Sequence, residues 1–277
     1  MRFKLMATLL LVALLSTTGF ACDKDNDGRR SCSSVITACG CTITKDGTYI
    51  VANDLNADSG LTTNNACIDV ASDGVVLLTN GHTITGEGAG IGINLLPEAK
   101  GAFLSAAGPG LTYTSVSGWQ YGMKVTADDV TSEGFYFTKN TTGVFMSHVR
   151  HNNLSLFGSY DNAEYGVLAE HSIDNRFEFG GVWGNRTVGL YLADDSDRNF
   201  VFEVYVAYTP YYGGGIWSSG YGVQNYGFYV KRGSTGNTFV DNAAFHDTVA
   251  DLFDDNERGK NLWHANQFGT AGQGFIQ

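Results

Sequence analysis

Residues able to do acid–base chemistry recur at one position of a repeated pattern in this sequence. Five positions after a glycine that opens a short alternating apolar segment stand His148, His171, Asp194 and Arg232. The position before them holds Glu170 and Lys231 in two of the copies. A histidine is a base near neutral pH, a carboxylate exchanges protons, and a cation neutralises an anionic substrate group. These six residues are therefore candidate catalytic residues.

The same residues also have a simpler explanation, because they stand where a strand would end in a turn. Turns are polar in most proteins, and polar side chains at four of five equivalent positions require no catalytic role. The first copy has Ala127 at this position. A one-residue shift between copies would also separate these side chains, so both interpretations stay open from the sequence.

The elements that would position these residues form a repeat. The opening glycines are separated by 21, 23, 23 and 38 residues, and they are Gly122, Gly143, Gly166, Gly189 and Gly227. A period near 23 with short alternating strands, Gly, Asn and Asp at the turns and no helical stretch predicts a solenoid. Successive coils would pair as parallel strands about 4.8 Å apart, and asparagines at the turns could stack in hydrogen-bonded ladders.

Side chains two residues after each glycine are expected to point outward, because strand side chains alternate. This position is occupied by Lys124, Phe145, Leu168, Tyr191 and Tyr229. Tyr191 and Tyr229 are candidate catalytic acids, and Lys124 is a candidate substrate-binding residue. The coils carrying these residues should lie one strand spacing apart.

The 38-residue step contains a tyrosine- and glycine-rich insert at residues 207–225. Loops inserted into a solenoid often build its binding face, and aromatic side chains with a polar edge suit sugar rings. The candidate substrate-binding residues here are Tyr208, Tyr211, Tyr212, Trp217 and Tyr221. An ordinary lid or a packed edge loop would explain the insert equally well.

The N-terminal residues are typical of an export signal over residues 1–21. Arg2 and Lys4 precede a short apolar run, and small residues stand before Cys22. "GFAC" resembles a lipobox, so Cys22 is also a candidate lipidation site, and we expect a secreted or otherwise extracytoplasmic protein, anchored to a membrane only if Cys22 carries lipid. Residues 22–38 read as an acidic linker and cap start, in which Asp23–Gly28 resembles half of a calcium loop.

The charge of the chain argues against nucleic acid as a partner. The formal net charge is −11, and removal of the signal takes two of 17 basic residues, leaving 15 against 28 acidic ones, a net −13. Such a surface repels polyanions in general, so an acidic polymer would need a local basic site.

Four cysteines remain after Cys22, and they predict two disulfides in an oxidising compartment. They are Cys32, Cys39, Cys41 and Cys67, and four cysteines allow three connectivities. We expect them to tie an N-terminal cap at about residues 31–70, since the first coil has an exposed edge that needs covering.

Several segments also resemble a known group of proteins. "CGCTITKDGTYIVANDL", "GVVLLTNGHTITG" and "NAEYGVLAEHSIDNRFEFGG" resemble coils of right-handed parallel β-helix proteins of the NosD-like and pectate-lyase-like group. The resemblance covers roughly Cys39 to Gly269 and implies an all-β fold, a single-stranded right-handed parallel β-helix domain over residues 39–277. The group includes polysaccharide lyases, uronate epimerases, glycoside hydrolases and surface proteins without catalysis.

The first functional hypothesis is a lyase or epimerase acting on a uronate-containing polysaccharide. Both reactions remove the proton at C5 and need a base, a cation for the carboxylate and an acid. His171 or His148 would be the base, Arg232 or Lys231 the cation, and Tyr191 or Tyr229 the acid. The sequence departs from known families: the calcium-binding aspartates of pectate lyases are not evident, and "LAEHS" does not match the Asp-Pro-His-Asp motif of uronate epimerases.

Two alternatives belong to other classes. Glu170 and Asp194 lie on adjacent coils of the predicted register and could act as the paired carboxylates of a glycoside hydrolase. The other alternative is a solenoid without catalysis, which binds a glycan or a partner through its tyrosine-rich surface. It would need neither the base, cation and acid of a lyase nor the paired carboxylates of a hydrolase.

Overall fold

The computed structural model describes residues 30–107, 113–207 and 224–272. Within these ranges the chain forms β-strands and one 3-10 turn, Ala57–Ser59. The strands are β1 (Val35–Ile36), β2 (Cys41–Ile43), β3 (Gly47–Val51), β4 (Leu55–Asn56), β5 (Ala66–Val70), β6 (Val75–Leu78), β7 (Ile84–Thr85), β8 (Ile91–Leu95), β9 (Phe103–Ser105), β10 (Thr114–Ser117), β11 (Tyr121–Val125), β12 (Thr131–Glu133), β13 (Phe135–Thr138), β14 (Thr142–Ser147), β15 (Asn153–Ser155), β16 (Gly158–Tyr160), β17 (Tyr165–Glu170), β18 (Arg176–Trp183), β19 (Val188–Ala193), β20 (Phe200–Ala207), β21 (Tyr226–Val230), β22 (Thr238–Val240), β23 (Ala243–Phe245), β24 (Ala250–Asp254), β25 (Leu262–His264) and β26 (Gln267–Phe268).

These strands stack into a solenoid of parallel strands, as the sequence predicts. One side of the described coils is a nine-stranded sheet, here called the front sheet: β2, β5, β8, β11, β14, β17, β19, β21 and β24. The other strands form one seventeen-stranded sheet, here called the large sheet, which covers the remaining sides. The large sheet is continuous because β18 and β20 each run for eight residues past a corner. The expected parallel β-helix is confirmed.

The register of the coils also agrees with the sequence pattern. Lys124 pairs with Phe145, and the column continues through Leu168, Tyr191 and Tyr229. The 38-residue step therefore adds its extra residues outside the front sheet. The coil glycines are required by close approach: a methyl group at Gly189 would lie 2.7 Å from the carbonyl oxygen of Gly227 on the next coil. Only glycine lets the strands stack there.

Buried asparagines form ladders at the turns of the coil, and two of these ladders extend over four or more coils. In the longer one the backbone N–H of Asn175 donates to Oδ1 of Asn199 at 3.0 Å, and Asn199 N–H donates to Asn237 Oδ1 at 2.8 Å. The side-chain amides repeat the pattern, so each asparagine satisfies backbone groups of neighbouring coils. These groups would otherwise be buried without partners, which makes the ladder a major source of stability.

The second ladder ends on a carboxyl group. It runs through Asn140, Asn162, Asn185 and Gln224, and the next residue in it is Asp247. The pKa of Asp247 is raised to about 8, because burial and the neighbouring Asp251 raise it more than a hydrogen bond from Gln224 lowers it. Near neutral pH Asp247 is therefore protonated in the folded chain.

Replacing Asp247 by asparagine is expected to stabilise the protein and to flatten its pH dependence. Its folded pKa lies above its ordinary value of 3.8, so between these pH values the folded chain holds a proton that the unfolded chain releases. The free energy of unfolding must therefore fall as the pH rises toward 8. Asp247→Asn removes this loss and should raise that free energy by up to about 5 kcal/mol at pH 8. Urea denaturation at several pH values measures it, with the exposed Asp73→Asn as control; equal pH slopes in wild type and Asp247→Asn would contradict it.

All four predicted cysteines form disulfides at the N-terminal end. Cys32 is bonded to Cys41 and Cys39 to Cys67, which selects one of the three connectivities. Cys39, Cys41 and Cys67 are also buried in the core. The pairs join the first coil to the chain before it and after it, so the predicted disulfide-tied cap is confirmed.

Removal of the Cys39–Cys67 disulfide is expected to cost more stability than removal of Cys32–Cys41. The two bonds close 28 and nine residues of chain, and the entropy that a crosslink removes from the unfolded state grows with loop length. The double variant Cys39→Ser/Cys67→Ser should lose about 3.5 kcal/mol and Cys32→Ser/Cys41→Ser about 1 kcal/mol less. Urea denaturation of both variants gives the comparison, and the reverse order would contradict the loop-length argument.

Candidate functional site

The outer surface of the front sheet carries a strip of packed aromatic rings. Tyr191 stacks on Tyr229 with centroids 4.8 Å apart, and Tyr165 lies 5.8 Å from Tyr191 on the preceding coil. Tyr226 and Phe253 each pack 5.1 Å from Tyr229. All five rings are partly exposed. This aromatic strip of Tyr165, Tyr191, Tyr226, Tyr229 and Phe253 follows the axis of the solenoid.

The phenols of Tyr191 and Tyr229 are held in their protonated form. Burial, then Tyr229, Tyr165 and the acidic residues Asp194 and Glu170, raise the pKa of Tyr191 well above its usual range. Burial and Asp255 also raise the pKa of Tyr229. Both hydroxyls can therefore donate a proton to a ligand, and neither is suited to act as a base.

Two histidines lie side by side at the turn that ends the strip's strands. The rings of His148 and His171 are 4.5 Å apart, and both are exposed. The backbone N–H of His171 donates to the carbonyl of Asp194 at 2.8 Å, so the next coil continues this column. Ser147 Oγ lies 2.9 Å from Nδ1 of His148. The structure thus places these three turn residues on consecutive coils.

The backbone explains why short polar residues occupy this turn. His148, His171 and Asp194 have φ values of 58°, 46° and 45°, which is left-handed backbone. Histidine and aspartate adopt this conformation more readily than most residues. The turn explanation and the catalytic one are therefore compatible, because the conformation selects the residue types and the stacking brings them together.

Lys231, and not Arg232, contacts this column. Lys231 Nζ is 2.5 Å from Asp194 Oδ1, and this hydrogen bond raises the pKa of Lys231, with Glu170 contributing. In this coil the left-handed turn residue is Gly233, with a φ of 99°, one position later than in the preceding coils. The Arg232 guanidinium lies 3.5 Å from Asp255 instead.

Arg232 belongs to a different feature, an open cleft of about 470 Å³. The cleft is lined by Arg232, Thr235, Asp255, Asn256, Glu257 and Lys260. The cleft contains two cations, Arg232 and Lys260, and two acids, Asp255 and Glu257, so its formal charges cancel. The structure thus separates the two cations that the sequence places together.

The remaining predicted residues fall into three groups. Glu170 ends β17, partly exposed, and pairs in register with Ser147 and Ala193. Lys124 pairs with Phe145 in the front sheet and lies two coils before His171. Tyr208, Tyr211, Tyr212, Trp217, Tyr221 and Cys22 lie outside the described residues.

Sequence reasoning did not assign Tyr165, Tyr226 or Phe253 to the aromatic strip. Tyr165 and Tyr226 each stand directly before a coil glycine, as Tyr121 does in an earlier coil. This repeated "YG" pair is the signal that could have found them. Ala127, the first member of the turn column, is buried in the core and cannot contribute to a surface site.

The described residues show neither a metal centre nor a membrane span. In the ranges given above, no group of three or more His, Cys, Asp or Glu side chains is placed to hold a metal ion. The calcium-like segment Asp23–Gly28 lies outside them. No helix in the described part of the chain is long and apolar enough to cross a membrane.

The comparisons with known proteins are structural. No protein-family model matches the sequence, and no curated protein matches it. The chain has a parallel β-helix fold. This β-helix is similar to an alginate lyase from Paenibacillus sp. (TM-score 0.51, 20% identity), covering 72% of this chain and 68% of that one. It is also similar to the enzymatically active domain of tailspike protein 2 from bacteriophage CBA120 (TM-score 0.54, 12% identity), covering 83% of this chain and 38% of that one.

These similarities concern the fold alone. The chain spans little more than a third of the tailspike domain, and both identities are low. Folds of this kind host many activities, so the chemistry must be argued from the residues of the front sheet.

Proposed function

We propose that this β-helix is a polysaccharide lyase that cleaves a uronate-containing polymer by β-elimination. The observation that carries the proposal is the front sheet: two adjacent histidines, the Lys231–Asp194 pair and protonated tyrosines lie on neighbouring coils of one exposed face. An alginate lyase of similar fold supports the substrate class.

The proposed reaction uses a base, a cation and an acid. His171 takes the C5 proton on an imidazole nitrogen, and the electron pair of that C–H bond forms the C4–C5 double bond. The bond between C4 and the glycosidic oxygen breaks, and Tyr191 donates its proton to that oxygen. The Lys231 ammonium stabilises the charge that develops on the uronate carboxylate. To do so it must bind the substrate carboxylate and the Asp194 carboxylate at the same time.

The aromatic strip would hold the polymer along the solenoid axis. Sugar rings pack on partly exposed aromatic rings, whose hydroxyl edges also form hydrogen bonds. The strip spans the three consecutive coils that carry His171, Asp194 and Lys231, so a bound chain would present more than one residue to the site. The two disulfides are consistent with a protein that works outside the cytoplasm.

The experiment is a panel of uronate polymers with ultraviolet absorbance recorded for the unsaturated product. We expect absorbance to rise with at least one polymer and chain ends to appear in equal amount. No rise with any polymer would refute the lyase. New reducing ends without absorbance on a neutral glycan would instead support the hydrolase, for which Glu170 and Asp194 on adjacent coils are the candidate carboxylates.

A further inference from the structure

A second group of aromatic residues lies on the large sheet. Tyr113 stacks on Tyr136 at 4.5 Å, Tyr136 meets Tyr160 edge-on at 6.0 Å, and Tyr160 stacks on Trp183 at 4.9 Å. These four residues, here called the aromatic platform, lie on successive coils outside the front sheet: Tyr136, Tyr160 and Trp183 are on strands of the large sheet, and Tyr113 directly precedes β10 of the same sheet. Tyr113 is 44% exposed and the others are partly exposed.

Two glycines lie beside these rings at outward positions. Gly158 pairs in register with Tyr136 on one side and Gly181 on the other. A methyl group at Gly158 would lie 2.6 Å from Cδ1 of Tyr136, and one at Gly181 would overlap the Trp183 ring. The rings therefore lean over the two glycines, against the strand backbone.

Strand stability alone does not favour this arrangement. Glycine inside a strand costs roughly 0.5–1 kcal/mol, while a β-branched residue at an outward position would strengthen the sheet. Glycines in strands also mark places where a ligand approaches closely. Covering by the rings offsets part of the cost. Covering two glycines does not, however, require a row of rings that spans four coils and stays partly exposed.

The chemistry of the platform fits sugar rings. Phenol and indole groups combine a flat apolar face with a polar edge, as the C–H faces and hydroxyls of pyranose rings demand. Burial raises the pKa of Tyr136 to about 12 and also raises that of Tyr160, next to Asp161, so the hydroxyls remain donors. The four residues carry no cation, so the platform suits recognition of ring faces more than of carboxylates.

We propose that the aromatic platform is a second glycan-binding site, which holds a polysaccharide strand through its pyranose rings without cleaving it. The site is separate from the front sheet, and it does not depend on the proposed lyase activity. The ligand class is a polysaccharide in which the recognised element is the uncharged ring face.

Affinity electrophoresis tests the proposal in gels containing alginate, polygalacturonate or hydroxyethyl cellulose. All proteins carry His171→Ala, so that the polymer in the gel is not degraded. We expect at least one polymer to retard the protein and Tyr160→Ala/Trp183→Ala to weaken that binding by about tenfold, the effect of losing a central aromatic contact.

Two further variants separate binding from folding. Gly181→Ala keeps every ring but displaces Trp183, so it should also weaken retardation. Phe179→Ala removes a ring that is 48% exposed on the same strand but outside the platform, and it should leave retardation unchanged. Thermal unfolding of each variant identifies those that fail to fold.

The outcomes are decisive for this site and distinct from those of the lyase assay. Retardation that is absent with every polymer, or that the platform variants do not change, would overturn the proposal. Failure of the lyase activity would appear as missing absorbance in the protein with an intact platform, and it would leave the retardation result standing.

Discussion

His171→Ala is expected to lower turnover of a uronate polymer by roughly 100- to 10,000-fold, the contribution typical of a positioned general base. The exposed imidazole of His171 lies beside His148 and one coil before Asp194, which holds the Lys231 ammonium. Its removal leaves the aromatic strip intact, so polymer binding should persist. The initial rate of absorbance increase measures turnover, and gel retardation measures binding.

A matched histidine controls for the loss of a surface imidazole. His246 is exposed and has left-handed backbone with a φ of 68°, but it follows β23 in the large sheet. His246→Ala should leave turnover within about twofold of wild type, as expected for a surface substitution away from the site. Equal turnover in His171→Ala and wild type would show that His171 is not the catalytic base.

The second large effect concerns stability. Asn199→Ala is expected to lower the free energy of unfolding by about 4 kcal/mol, because it removes four buried hydrogen bonds at once. Oδ1 of Asn199 accepts from the backbone and the side chain of Asn175, and Nδ2 donates to Ser172 and Asn237. Several of these groups would be left buried with fewer partners. Urea denaturation followed by circular dichroism gives the value.

Asn53→Ala is the matched control for this substitution. Asn53 is exposed and donates to two backbone carbonyls, those of Thr37 and Asp54. Water can replace these bonds, so the variant should lose less than about 1 kcal/mol. A loss at Asn199 no larger than that at Asn53 would show that the ladder does not carry the stability assigned to it.

The repeat in the sequence was enough to predict the fold and the register. A period near 23 requires coils that stack, and a glycine at each strand start marks where the coils approach most closely. The alternation of side chains along each strand then decides which of them face outward, so the column from Lys124 to Tyr229 follows directly from the sequence. These features are local, and every coil repeats them.

Contacts between coils were decided only by the tertiary structure. A shift of one position at Gly233 directs Arg232 to Asp255 and leaves Lys231 to pair with Asp194. The connectivity Cys32–Cys41 and Cys39–Cys67 depends likewise on how the first coil closes. The sequence by itself determined the solenoid, its register and the residue types at the turn, because periodic patterns set backbone geometry. Which side chains meet across the turn depends on the three-dimensional path of each corner, where one residue redirects a side chain.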